Sequence, residues 1–391
     1  MNTTTDFNIV DDIEFRIQMM MTDLTAVKDM VAVAAEGQIK FKETEQNNAR
    51  RQLLRVEKLA QRDKELHARS QKTVMERVAV ELHDKIKLRL EENLVETDAI
   101  YRKILGGHEN LPDALDILNV RASSMGRIEP AIATMPWLQA DILKMVNMPK
   151  YRRTDSKGKS IAVESLRMAL SFVGMDNLKM VVPAFAFRRW LPQITDPYPS
   201  IKGRLWDSAL GSAISCRKIA QVTGQDEGQA FALGMFNSIG TIVVVRLYFR
   251  LFDEIQRESL KEAEDNYQQQ EFDALRQVQP QDSQLRELLQ QHAAKITASV
   301  IDFMDMRRVF IANAYSEHRD QVALKDRSPM GKILAQGVAY TNYRNLKGYN
   351  LINVDEAKAY LREFAMPKGS LAALKQTDLR KIDMTFDDDE S

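Results

Sequence analysis

The sequence predicts an all-α fold, a multi-helix bundle preceded by a long N-terminal helical region. Three observations predict it. The 16 glycines and 11 prolines of 391 residues make up about 7% of the chain, against an ordinary ~12%, so helix breakers are scarce. Residues 40–105 contain neither Gly nor Pro. Apolar residues recur every three or four positions instead of alternating, the period of a helix face and not of a strand. The β-rich triplet Val243-Val244-Val245 lies inside an apolar run too long for a short strand.

The elements follow in order. Ile13, Ile17, Met20, Leu24, Val27, Val31 and Ala34 mark one face of a helix over 11–36, with Asp11 and Asp12 suiting its N-terminus and Gly37 its end. The segment 40–105 reads as one long helix or a helical pair, with apolar positions at Val78, Leu82, Ile86, Leu90 and Leu94 among others. Its heptads are too imperfect for a regular coiled coil. Its basic stretch, with Arg50, Arg51, Arg55, Lys58, Arg62 and Lys64, reads as a solvated face or as a contact for an acidic partner. Gly106-Gly107 sets a boundary, giving an N-terminal region 1–106. A helical domain follows over 107–365, read as short helices from 112 to about 250. Residues 253–290, rich in Glu and Gln, read as an inserted polar helix pair. Residues 366–391, ending Asp387-Asp388-Asp389-Glu390, read as an acidic, disordered tail.

Composition excludes more than it names. The 55 basic and 55 acidic residues cancel, which removes any global argument for nucleic acid or an anionic membrane as partner. Five histidines and the single Cys216 leave little for a metal site or a disulfide framework. The opening residues show no secretory signal, and a lone cysteine fits a reducing, cytoplasmic setting. The charge-free run Gly228–Val245 barely reaches spanning length and carries Gln229, Asn237, Ser238 and Thr241, so it reads as a buried core helix. No Gly-rich phosphate loop, nucleophile elbow or zinc-protease motif occurs. His83-Asp84 sits among charges on the long helix and reads as a surface coincidence. Arg152-Arg153 and Arg188-Arg189 are paired cations suited to an anion or a partner, with plain surface solvation as the simpler account.

The run from Leu111 to Phe249, with more distant elements to about 365, resembles the HDOD domain, a signalling-output branch of the HD phosphohydrolase superfamily. The landmarks occur in order: Leu111-Pro112, Met135-Pro136-Trp137-Leu138, Leu143-Lys144-Met145-Val146-Asn147 with Tyr151, Ala169–Gly174, Leu205-Trp206-Asp207-Ser208-Ala209-Leu210, and Ala230–Gly240. Ile301–Ser316 with Glu317-His318-Arg319 is similar to the helix ending in the family's His-His, and Ile333–Tyr340 to the helix after it. The resemblance implies an HDOD-like helical bundle and, in HD enzymes, a metal held by His, a His-Asp pair and a further Asp.

This sequence departs from that ligand pattern. The first His position is Ser208, the His-Asp pair is Asn237-Ser238, and the second His of the downstream pair is Arg319, leaving only His318. Neutral Ser and Asn are poor ligands for a hard cation, so no metal, no cofactor and no catalysis are expected. Asn237-Ser238 also reads simply as a helix cap or bend. The resemblance then implies a non-catalytic bacterial signalling or scaffold protein that binds a partner protein, with a regulatory nucleotide as a further ligand and the N-terminal helices supplying dimerisation or docking. The alternative is a metal-dependent phosphohydrolase acting on a nucleotide or cyclic dinucleotide, with Asp207 or Glu317 recruited beside His318. Nucleic-acid binding through 50–64 ranks third, because aromatics are absent there.

Overall fold

The computed structural model describes residues 8–36, 55–120, 123–151 and 162–384, with the side chains of 33–36 and 55–70 left aside. Every regular element in them is helical. Asn8 opens α1 (Ile9–Thr22), its side chain accepting the Val10 N–H, and α2 (Leu24–Glu36) follows. The single helix expected over 11–36 is therefore two. Asp23 adopts an extended conformation and its carboxylate accepts the Ala26 N–H, so a local cap outcompetes continuation. The end expected at Gly37 lies outside the described residues.

The long segment forms α3 (Arg55–Asn93) and then a short α4 (Thr97–Ala99) that widens into a π turn at Ile100–Leu105. Gly106 ends it with φ 71°, a left-handed conformation that glycine adopts without strain. The core runs across this point. Val78, Leu82, Ile86 and Leu90 of α3 are buried in the same apolar cluster as the helices beyond 107. The boundary at Gly106-Gly107 thus marks a turn in the chain and does not separate two cores.

Four helices follow: α5 (Leu111–Leu118), α6 (Met125–Ala133), α7 (Pro136–Val146) and α8 (Leu166–Val173). Pro112 and Pro136 sit in first turns, where a missing N–H costs nothing. Then come α9 (Met175–Trp190), α10 (Ile201–Thr223), α11 (Glu227–Phe236) and α12 (Ile239–Asp265). The short-helix reading to 250 fails for α10 and α12, of 23 and 27 residues. Tertiary packing covers the middle of α10 on all sides, as for Ser212, Ala213, Ser215 and Cys216. Among the described residues, one stretch, Glu227–Asp265 across α11 and α12, is long and apolar enough to cross a membrane, and 78% of its most apolar window is buried inside the fold.

The polar stretch 253–290 is the end of α12, then α13 (Gln269–Leu275), then the start of α14 (Asp282–Phe303). Its charges face α3. Arg77 pairs with Glu271 at 2.6 Å, Lys87 with Glu287 at 2.9 Å, and Arg89 with Glu258 at 3.5 Å. The chain closes with α15 (Ala312–Arg319), a 3-10 turn at Leu324–Asp326, α16 (Pro329–Gly348), α17 (Val354–Glu363) and α18 (Ser370–Lys375). The tail expected from 366 is ordered through this stretch, since Ser370, Leu374 and Leu379 are buried and α18 packs on α10. Residues 385–391, with the acidic run, lie outside the description. A second, smaller apolar cluster joins α1 to α16 and α17 through Ile13, Met20, Leu346, Leu351 and Tyr360.

Candidate functional site

The helical hairpin of α10 and α11 builds the first part of the site. Asp226 caps α11, its carboxylate accepting the Gln229 N–H at 2.8 Å. The hairpin closes tightly at Gly234, where a Cβ would run into the backbone of Ser212 and Ala213. Ser208 is one turn back along α10 from Ser212. Asn237 is one turn on along α11 from Gly234. In an antiparallel hairpin those two steps go the same way, so the register carries Ser208 to the level of Asn237-Ser238.

Asn237-Ser238 is the joint between α11 and α12. Asn237 retains helical angles, φ −55° and ψ −31°, and Ser238 relaxes to φ −94° and ψ 13° before the new helix starts. Helix α14 clamps this joint. The Gly240 N–H donates to the Thr297 hydroxyl at 3.0 Å. That hydroxyl lies 2.9 Å from the Ala293 carbonyl and 3.4 Å from the Asn237 carbonyl. A Cβ at Gly240 would overlap the Ala293 backbone, so the two helices touch main chain to main chain.

Helix α15 brings the last expected residues. The Phe310 N–H donates to the Gln229 side chain at 2.9 Å and the buried Tyr315 hydroxyl donates to the Leu233 carbonyl. The helix itself packs on α14 and α16, and His318-Arg319 comes one turn after Tyr315. The structure gives these residues other occupations. Arg319 forms a fork with its neighbour Asp320, at 2.8 and 2.9 Å, which draws its charge sideways to solvent. Its positive charge is thus paired at the helix end. Glu317 accepts from the Ser328 N–H and hydroxyl, both at 2.9 Å, and from Asn313 at 2.8 Å. It holds the start of α16 and is not available as a substitute ligand. His318 is exposed. Asp207 is exposed on α10, and partial burial of its carboxyl raises it above the usual carboxylate range, against a smaller pull from Arg380.

The residues present do not fit a hard metal ion. Their donor set is two hydroxyls, an amide, a guanidinium and the single imidazole of His318; Glu317 is committed to the start of α16, and Asp207 lies on the exposed side of α10. Among the described residues, no three His, Cys, Asp or Glu side chains gather into a group able to hold a metal. Cys216 is buried, with burial pushing its thiol well above the ordinary range. Its sulfur lies 3.5 Å from the Ile333 carbonyl, against Gly337, where a Cβ would strike it.

Two further readings change. His83 is not a surface coincidence: it is buried on the inner face of α3, its ring 5.9 Å from that of Phe252. Position 83 adjoins the apolar stripe of Val78, Leu82 and Ile86, so the spacing held the signal. Arg188 and Arg189 are exposed in the last turn of α9, where cations complement the helix dipole, and Arg189 lies over the Trp137 ring at 5.2 Å. Arg152 and Arg153 lie outside the described residues. Sequence reasoning missed Arg16, whose guanidinium is buried between Asp12 and Glu356. Nothing local in the sequence marks a partner at that separation.

Fold and site together define a class: an all-helical domain whose central helical hairpin and joint are closed by a third helix. Residues 109–279 match the HDOD domain family, and the chain carries an HDOD domain there. Two crystal structures from Shewanella amazonensis SB2B are similar to it. One, named as a candidate phosphohydrolase, aligns at 18% identity over 72% of this chain and 90% of its own, with a TM-score of 0.42. The other, named as a candidate metal-dependent phosphohydrolase, aligns at 14% identity over 77% of this chain and 99% of its own, with a TM-score of 0.40. No curated protein matches the chain.

Proposed function

We propose that this protein is a non-catalytic signal-transduction or scaffold protein that binds a partner protein through its HDOD domain. The observation that carries the reading is the joint at Asn237-Ser238. Where the resemblance implies a metal-holding His-Asp pair, this chain has neutral residues locked to α14 through Thr297 and Gly240. A close backbone contact of this kind supports packing and offers no charged donor. A cytoplasmic setting, a regulatory nucleotide as a second ligand and pairing of two copies through the N-terminal helices belong to the same proposal.

Elemental analysis of the protein purified from its native host, together with phosphatase and phosphodiesterase assays, tests it. Substoichiometric metal and no turnover are expected. Stoichiometric iron or manganese, with turnover lost in His318→Ala, overturns the reading in favour of a phosphohydrolase.

A further inference from the structure

Helix α17 presents two faces. One carries Tyr360 and Glu356 towards α1 and α16. The other borders an open groove of about 780 Å³ walled by α16 and α18. Along it Val354, Ala357 and Leu361 of α17 recur every three or four residues, Ala365 follows beyond the helix end, and Val354 is 69% exposed. The stripe on the helix spans eight residues, about 10 Å or two helical turns. Tyr343 and Leu371 continue the apolar floor from the flanking helices.

The rim is of one sign. Lys347, Lys358, Arg362 and Lys375 line the groove, and no carboxylate does. Lys358 pairs with Asp355 at 3.3 Å, and among the described residues Lys347 meets the hydroxyl of Tyr343 at 3.2 Å and its ring at 5.6 Å. Arg362 and Lys375 have no ion-pair partner among the described residues. An occupant must therefore bring an apolar stripe of about two turns with negative charge flanking it.

We propose that the groove between α16, α17 and α18 is the docking site for an acidic amphipathic helix of a partner protein. The proposal rests on the reading of the chain as a partner-binding protein and adds the surface and the partner's chemistry. Helix-in-groove recognition uses anchors at this spacing, and the rim cations steer and orient a partner of opposite sign.

The test uses the full chain and two fluorescein-labelled helical peptides of four turns. Both carry leucine at i, i+3, i+4 and i+7, and they differ in carrying glutamate or lysine elsewhere. Fluorescence anisotropy is expected to show saturable binding of the glutamate peptide, at least tenfold tighter than the lysine peptide and weakened by salt. Leu361→Glu, and separately Arg362→Glu with Lys375→Glu, are each expected to weaken it tenfold or more while circular dichroism stays unchanged. Equal binding of both peptides, or no effect of the variants, overturns the proposal. Dodecanoate binding in the groove while neither peptide binds also overturns it, in favour of a small anionic amphiphile. Metal and turnover in the assays above would remove the partner-binding reading without altering this titration. Failure of the titration with metal absent would remove the groove alone.

Discussion

Gly240 and Gly203 show how one residue type has opposite consequences at two positions. At Gly240 a Cβ would meet the Ala293 backbone, which no rotamer change can move aside. Gly240→Ala is expected to cost about 3 kcal/mol, the upper part of the overpacking range, and to open the joint at Asn237-Ser238. At Gly203, inside α10, nothing lies within 4 Å of the added atom. Gly203→Ala is expected to gain about 0.5 kcal/mol by helix propensity. Urea denaturation of both variants checks the pair, and similar shifts would contradict the packing described for α12 on α14. His83 supplies the pH dependence at this scale. Burial pushes its imidazole below the usual range, against smaller contrary pulls from Gln284 and Asp84. The fold therefore keeps it neutral, while the unfolded chain protonates it below about pH 6.5. Stability is expected to be lost as the pH falls through that value. His83→Leu should flatten the decline in melting temperature between pH 7 and 5.5, and an unchanged slope would assign the effect to other groups.

Among the elements, α1 is held by one buried guanidinium. Arg16 donates to both Glu356 oxygens at 2.8 and 3.2 Å and to the Leu351 carbonyl at 2.9 Å, and pairs with Asp12 at 2.6 Å. The contact ties α1 to α17, and Arg204 of α10 adds a bond to the Met20 carbonyl. The Arg16 guanidinium holds Glu356 below the usual carboxylate range. That stabilisation is present above about pH 4.5, the ordinary glutamate value, and is lost as acid protonates Glu356 in the fold. Arg16→Ala is expected to cost about 2 kcal/mol, typical of charged hydrogen bonds, and to speed proteolysis between α1 and α3. Unaltered cleavage would show that the apolar cluster of Ile13 and Met20 suffices. For α3 the magnitudes fall the other way. Its ion pairs with α13 and α14 lie at the exposed surface, where solvent and salt screen them. Burying four apolar side chains contributes roughly 6–12 kcal/mol as an upper estimate. The apolar stripe holds the helix, and the ion pairs set which face meets the polar stretch.

For the whole molecule, the two apolar clusters differ in what they require. The large one needs α3 from Val78 onwards, since it shares Leu82, Ile86 and Leu90 with the helices beyond 107. The small one needs α1. A chain lacking 1–36 is expected to unfold cooperatively at a lower temperature. A chain lacking 1–106 is expected to lose cooperativity and aggregate, because the floor of its core is gone. Differential scanning calorimetry of both truncations distinguishes the two. A stable, cooperative chain beginning at 107 would restore the N-terminal region to the status of a separate domain. Much of the fold was legible beforehand: the helical class, the landmarks from Leu111 to Gly240 and the buried run Gly228–Val245. The residues that the resemblance places at the ligand positions, Ser208, Asn237, Ser238 and Arg319, were nameable from the sequence, and their contacts were not.

By itself the sequence determined the helical class, because an α-helix closes its hydrogen bonds within four residues and writes its burial as a period of 3.6. It also set which side chains stand at the positions the resemblance marks, Ser208, Asn237, Ser238 and Arg319, since residue type is written in the chain. Tertiary structure decided which residues meet. Arg16 and Glu356 are 340 positions apart, and Gly240 meets Ala293 across two helices. It also decided that His83 faces inward, that residues to 384 pack on the bundle, and that α17 keeps one face open. Such contacts depend on how whole helices stack, a balance of burial and main-chain fit that no local spacing records.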